Sequence, residues 1–395
     1  MATQIGIGFS QSTDAQTAAR DAAFNSKTNL NADRIDIALI FSTIHYDPQQ
    51  TVPVLRAVLN ETQMIGCSTA GIILSNTIET RGIAVLTISS DEMKFGTGSV
   101  ANLKTQDIHR SGALLARDTL ASFGRHARQA FVFFVDGHLE NNSLLLKGIQ
   151  EILGNVFPIL GAGSCDNFHF LDTFQIFQDQ ILTDAATSLI IGGHASVSVG
   201  CHHGWRPLGK PRIIDKAEGN IIKVISGKKA SNLYEEYFGE EVKDLHSKQF
   251  DQMSILYPLG IFVEGSNEYL LRNAVDIKPD GSIVCQGDVP EGAEVHIMIG
   301  NKESCKQSAI DAAEDANNGL LGKKPKLVMI FESMARLKLL GRMAFEEIEN
   351  IKNVFGADVP IIGMYANGEI CPFQTVEKFK KPYLLNESIV VLAIC

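Results

Sequence analysis

The sequence predicts an α/β protein of two domains, whose mixed sheets are built around repeated β-α-β units that end in glycine-rich turns. Three observations carry this expectation. Apolar runs of strand length alternate with amphipathic stretches of helix length. The order apolar strand, loop, helix, apolar strand, glycine turn recurs three times, closing on GCSTAG at Gly66–Gly71, on GAGSCD at 161–166 and on GMYANGE at 363–369. At 395 residues the chain is too long for one ordinary core.

The first unit opens with a strand over Gln4–Phe9. Ser12, Thr13 and Asp14 offer caps for an Ala-rich helix over Ala15–Phe24. Asp36–Phe41 is a buried strand. Gln49–Asn60 has helical spacing at Val52, Leu55, Val58 and Leu59, and Met64–Cys67 returns as a strand into the first glycine turn. Gly82–Ser89 is a further strand, and Met93–Val100 is extended. The second unit has a helix over Gln106–Phe123 with Arg110 and Arg117 on its solvated face. A strand over Ala130–Val135, a helix over Asn142–Leu153 and a strand over Phe157–Gly161 follow. Thr173–Phe177 and Gln180–Leu182 read as a hairpin about Asp179, with strands after it at Ser188–Gly193 and Ala195–Cys201.

Gly204, Pro207, Gly209 and Pro211 predict a break over His202–Asp215. A strand over Gly219–Ile225 and a short helix over Lys229–Phe238 place the domain junction near Lys223, giving domains of 1–222 and 223–395. Strands are expected at Ile261–Val263, Tyr269–Arg272, Ser282–Cys285 and Glu294–Gly300, then a helix over Lys302–Asn317. The third unit comprises a strand at Leu327–Phe331, a helix over Leu337–Val354 and a strand at Val359–Gly363, and Ser388–Ile394 is the last buried strand. Parallel strands joined through helices need crossovers of this length. Ligands of such sheets sit off the carboxyl ends of the strands, where all three glycine turns fall.

Composition excludes several classes. A net charge of −10 without a long basic run argues against nucleic acid. No apolar stretch reaches the length of a membrane span, and the N-terminus lacks the pattern of a signal peptide, so a cytoplasmic protein is expected. The 7 cysteines are scattered and form no CxxC pair, which reads as reduced thiols. No serine triad, paired catalytic carboxylates or HExxH string is present, so the chain is not expected to be an enzyme.

The candidate site residues lie at the turns. Backbone amides of Gly66–Gly71 could take an anion, with hydroxyls from Ser68 and Thr69 and close approach at Gly66 and Gly71. Cys67 is either a buried small thiol or a nucleophile, the basis of a thiol-enzyme alternative. Asp166 either anchors a ligand cation or caps its own turn, and His169 lies nearby between two phenylalanines. Tyr365 and Glu369 belong to the third turn. Glu369 is a carboxylate in an apolar setting and needs a ligand cation or an in-chain partner, for which Arg336 is the candidate. Cys201, His202 and His203 carry ligand types suited to haem, without a second metal-ligand pair at diagnostic spacing.

Read together, GIGFSQSTD, DIALIFST, GCSTAG, GAGSCDNFHFLDTFQIF and GWRPLGKPRIIDKAEGN resemble the N-terminal part of the FIST family, a two-part FIST N and FIST C sensory module. FESMARLKLLG, PIIGMYANGEI and ESIVVLAI resemble its C-terminal part. Two positions depart from the family pattern. Ile72 stands where a Glu is frequent, and Ser333 where a Cys is frequent. The resemblance implies a sensor of a small ligand, with amino acids or related metabolites as the suggested class. Some members resemble haem-binding nitric-oxide sensors that regulate a histidine kinase, which gives the alternative cofactor reading. The chain leaves no room for an output module, so the resemblance implies signalling through a separate partner protein such as a histidine kinase.

Overall fold

The computed structural model describes residues 3–139, 142–166, 172–239, 242, 253–263, 268–373 and 381–395. It has the expected class, with mixed parallel and antiparallel sheets flanked by helices. In the first unit, strand Gln4–Ser10 leads to helix Ala15–Leu30, strand Ile37–Thr43, helix Pro48–Leu59, strand Met64–Thr69 and, after a hairpin, strand Ile83–Ser89. The second unit repeats this with strand Met93–Ala101, helix Ile108–Phe123, strand Arg128–Val135, helix Asn142–Leu153, strand Ile159–Gly163 and closing strand Ala185–Gly193. The third begins at Val197–His202 and resumes with helix Lys302–Asn318, strand Leu327–Ser333, helices Met334–Leu340 and Ala344–Phe355, strand Ile361–Ala366 and closing strand Ile389–Ile394.

The three sheets share one order: opening strand, closing strand, then two central strands that run parallel to each other. The hairpin after the second central strand does not return to its own sheet. Gly71–Leu74 of the first unit pairs with Ile361–Ala366 of the third. Gln175–Phe177 of the second pairs with Met64–Thr69 of the first, and Glu369–Pro372 of the third pairs with Ile159–Gly163 of the second. The units therefore exchange hairpins in a closed ring.

The central strands are apolar on both faces, as strands covered on both sides require. Ile37, Leu39 and Phe41, Ala130, Val132 and Phe134, and Leu327, Met329 and Phe331 all point into one common core. The alternate residues face the helices of their own unit, such as Ile40, Phe133 and Ile330. Phe41, Phe134 and Phe331 occupy equivalent register positions and meet edge-on, with centroids 5.6 and 5.9 Å apart. Gly66, Gly161 and Gly363 are also equivalent, opposite Ile40, Phe133 and Ile330. A Cβ at these glycines would come within 2.2, 2.2 and 2.3 Å of the facing carbonyl oxygen. Close strand packing, rather than approach to a ligand, accounts for a glycine at each.

Residues between the third unit's opening strand and its first helix form a separate antiparallel sheet. Here the chain departs from expectation. The predicted break at 202–215 is mostly strand: Arg206–Glu218 pairs with Glu294–Ile299 on one side and Ile221–Ile225 on the other. The register shifts between Leu208 and Arg212, where Gly209 takes a φ of 76°. Gly209 and Pro211 thus produce a bulge inside a long strand instead of ending it. The expected continuous helix over Leu337–Val354 is interrupted at Gly341, whose φ of 57° ends helix Met334–Leu340. The turns at 66–71 and 363–369 are crossings from one sheet to the next, each continuing as a hairpin strand. His169 and its flanking phenylalanines lie outside the described residues.

Candidate functional site

The backbone at the three crossings forms a ring. Ala70 N donates to Tyr365 O at 3.2 Å, Cys165 N to Ser68 O at 3.1 Å, and Asn367 N to Gly163 O at 3.0 Å. Donors 70, 165 and 367 are equivalent by register, as are acceptors 365, 68 and 163. The three glycine-rich stretches therefore meet at one centre, off the carboxyl ends of the parallel strands.

A cavity of about 630 Å³ opens on this side, where the second and third units adjoin the inserted sheet. Its core wall comes from loops after the central strands: Gly137, His138 and Leu139 after Arg128–Val135, Ser333 to Ala335 after Leu327–Ser333, and Asn367 after Ile361–Ala366. Lys104 stands at its edge, 3.5 Å from Asp136, which also accepts from the His138 amide at 2.9 Å. The inserted sheet contributes Asn220, Asn273 and Gln286, the charged pair Asp276 and Lys278, and an apolar surface at Ile221, Val275 and Val284. Gln286 Nε2 bridges the two walls, 3.2 Å from Asn367 Oδ1. Behind this surface lies Glu387, fully buried with a φ of 58°. Its carboxyl faces Asn273 and Ser333, both cavity residues, without closing a hydrogen bond of good geometry to either. Burial raises its pKa to about 8, with the contacts to Asn273 and Ser333 opposing the rise.

The residues singled out in the sequence take other places. Gly66 and Cys67 are enclosed in the central sheet. The Cys67 thiol packs 3.5 Å from Met364 Sδ, and burial pushes its pKa well above the ordinary thiol value, so it offers no thiolate nucleophile. The amides of Ser68, Ala70 and Gly71 already donate to Phe174 O, Tyr365 O and Thr69 Oγ1, which removes the anion cradle expected at Gly66–Gly71. Ser68 Oγ accepts from Phe174 N, and Thr69 Oγ1 lies 2.8 Å from Tyr365 O. Asp166 is buried beside His138 at 3.6 Å and accepts from Asp172 N at 3.3 Å, closing its own loop.

The Glu369–Arg336 pair does not form. Arg336 is enclosed and donates to Glu332 Oε1 at 3.2 Å, to Glu347, to His203 O and Ser308 Oγ, and to Cys305 O at 2.8 Å. All five donors of the guanidinium are engaged, which ties the third unit's strand to its two helices. Glu369 instead accepts from the amide and hydroxyl of Ser388, at 3.1 and 2.8 Å. Burial raises its pKa well above the carboxylate range, so it is held neutral. Tyr365 is fully buried beside Glu332, two residues before the cavity-lining Asn367.

The haem alternative is not matched by its residues. His202 uses Nδ1 on Glu268 at 2.8 Å and Nε2 on Asp315 at 3.0 Å. Burial opposes its charge, but the two carboxylates outweigh it and raise its pKa to about 9. Such an imidazolium is no metal ligand. His203 places Nε2 on Tyr269 O at 3.1 Å and accepts from Trp205 N at 2.9 Å. The buried Cys201 thiol, beside Cys371, has its pKa pushed well up. Among the described residues no group of three His, Cys, Asp or Glu side chains could hold a metal ion, and no helix is long and apolar enough to cross a membrane.

Comparisons with known proteins give the chain its relatives. The FIST N domain matches residues 36–228 and the FIST C domain matches residues 230–372. A protein of Mycobacterium tuberculosis, described only as uncharacterized, is 26% identical over 381 residues, 93% of this chain and 95% of the relative. An uncharacterized protein of Mycobacterium bovis is 25% identical over 384 residues, 93% of this chain and 94% of its own. Among solved structures, a cyanuric acid hydrolase from A. caulinodans aligns over 99% of both chains at 8% identity and a TM-score of 0.41, a likeness too distant to carry an argument.

Proposed function

This chain belongs to the FIST family, whose domains are sensory and bind small ligands, and from that premise we propose that it senses an amino acid or related metabolite in the cavity between its second and third units. The observation that carries the reading is the cavity itself. It lies at the carboxyl ends of the parallel strands, it has the size of a small-molecule site, and polar groups from both walls converge on it. Ser333, Asn367 and Asn273 would fix a polar head group, and Lys104 and Lys278 would attract a carboxylate. Glu387 would set the charge behind that wall, with the buried Glu369 and Tyr365 farther back. Binding there ties the inserted sheet to the ring of crossings. A change in how that sheet sits on the core would then be read by a separate cytoplasmic protein such as a histidine kinase. No catalytic step is assigned, because the described cavity lining offers no activated nucleophile.

Native mass spectrometry of the purified chain, followed by calorimetry across an amino-acid panel, tests the proposal. We expect a bound metabolite or a saturable heat with at least one probe, weakened at least tenfold by Asn367→Ala. Flat titrations of folded protein, or binding indifferent to Asn367→Ala, would overturn it.

A further inference from the structure

Resting on that assignment of the cavity, we infer that the ligand is an amide-bearing molecule about twice the size of a free amino acid: a dipeptide, or an amino acid acylated on nitrogen, with an apolar substituent. The volume of about 630 Å³ holds roughly twenty water-sized groups. A free amino acid such as leucine has about half that many non-hydrogen atoms, so it would leave half of the cavity wet.

Both walls mix polar and apolar groups. The core wall carries His138, Ser333 and Asn367 beside Leu139 and Met334. The facing wall presents Ile221, Val275 and Val284 from adjoining strands of the inserted sheet, with Ile255 beside them. A ligand that fills the cavity meets both the amides and this apolar patch, and so needs a polar part and an apolar part. One that touches only the core wall leaves the apolar surface against water, and Val275 is already 39% exposed.

The polar groups favour an amide. Asn220, Asn273, Gln286 and Asn367 present four side-chain amides to one cavity, each able to donate and accept in the geometry of a peptide group. Two of them already bond one another across the walls, Gln286 to Asn367. Asn273 links into this set, its Nδ2 lying 3.5 Å from Gln286 Oε1. Lys278 on the inserted sheet and Lys104 on the core supply positive charge for a terminal carboxylate at the opening. A free amino acid other than asparagine or glutamine has no amide to engage this set.

Calorimetry on the full chain with leucine, glycylglycine, leucylleucine and N-acetylleucine tests the inference. Leucylleucine is expected to bind at least tenfold more tightly than leucine, with N-acetylleucine closer to the dipeptide than to leucine. Val275→Glu, at a half-exposed position the fold tolerates, should weaken leucylleucine at least tenfold and glycylglycine less. Leu321→Glu, a remote and exposed site, should change nothing. Equal affinity for leucine and leucylleucine overturns the size and amide inference. If Asn367→Ala also abolishes that leucine binding, the cavity assignment itself stands. Binding indifferent to both Asn367→Ala and Val275→Glu refutes the cavity assignment and the inference with it. Absence of binding by any of the four probes refutes both.

Discussion

His202 clamps the inserted sheet to the core, and its charge makes that clamp dependent on pH. One ring nitrogen bonds Glu268, in the inserted part, and the other bonds Asp315, on helix Lys302–Asn318. Its folded pKa is about 9, against an ordinary 6.5. The folded form binds the proton more tightly, so the stabilisation is fully present below about pH 6.5 and is lost as pH rises through about 9. At about 1.4 kcal/mol per pKa unit, the whole shift amounts to about 3 kcal/mol, of which about 2 kcal/mol disappears between pH 6 and pH 8. The depressed pKa of Glu268 describes the same contact from its other end and is not added. Glu387, raised to about 8, also makes stability fall with pH in this range, so the comparison must be a difference. Urea denaturation of the native chain and His202→Gln at pH 6, 7 and 8 provides it. The native chain should lose about 2 kcal/mol more than the variant from pH 6 to pH 8. Parallel pH profiles for the two proteins would refute the clamp.

Other substitutions test the frame and the buried charges. Gly66→Ala and Gly363→Ala would each press a methyl into a facing carbonyl oxygen, and each should cost about 3 kcal/mol or prevent folding, read by urea denaturation. Arg336→Met leaves Glu332 and Glu347 buried without their cation and should cost about 3–5 kcal/mol at pH 7, less at pH 5 where unpaired carboxyls protonate. Glu369→Gln replaces a neutral carboxyl by an amide of the same shape, so thermal unfolding at pH 7 should show a change of less than about 1 kcal/mol; a loss of several would mean that the native carboxyl is ionised. Glu387→Gln should stabilise the fold at pH 8 and flatten its pH profile between about 4.5 and 8, because the native carboxyl must stay protonated in the fold while the unfolded chain ionises.

Much of the frame was legible because each unit repeats a local signal. Short continuous apolar runs such as Asp36–Phe41 and helical spacing such as Val52, Leu55 and Leu59 are read within a few turns of chain. The three glycine turns were also legible as equivalent. Their cause was not, because the carbonyl that excludes a Cβ at Gly66 belongs to Ile40 and is brought there only by the parallel register. Hairpin exchange was hidden for the same reason: Gly71–Leu74 reads as a strand of its own unit until its partner at 362–365 is known. At the site, Asn367 lay inside a stretch already singled out, and Ser333 had been marked as a departure. Asn220, Asn273 and Gln286 carried no signal, since isolated amides at the ends of short strands are common and only the tertiary fold gathers them. Glu369 and Arg336 were correctly unusual as charged residues in apolar stretches. Each was then satisfied by a partner that sequence proximity does not reveal, Ser388 for one and Glu332 with Glu347 for the other.

The ring also explains why function would settle at one junction among three. Its backbone hydrogen bonds are equivalent, so the crossings themselves provide no distinction. The side chains do. The equivalent donor positions carry Ala70, Cys165 and Asn367, and the equivalent strand ends carry Thr43, Asp136 and Ser333. Of the three donors, Asn367 alone carries an amide side chain, and it reaches Gly137 O at 2.9 Å in one direction and Gln286 in the other. The inserted sheet covers that same junction and is held there by Arg272, which donates to Leu384 O, and by the His202 clamp on its far side. A ligand bound as proposed between Asn367 and the inserted sheet would therefore act on a contact whose other anchor is a titratable ion pair. Ligand binding and deprotonation of His202 would then be opposed: the first would tighten the insert on the core, the second would loosen it. Affinity for a ligand held by both walls should fall as pH rises from 7 to 9, and His202→Gln should reduce that dependence, with Glu387 behind the cavity accounting for the remainder.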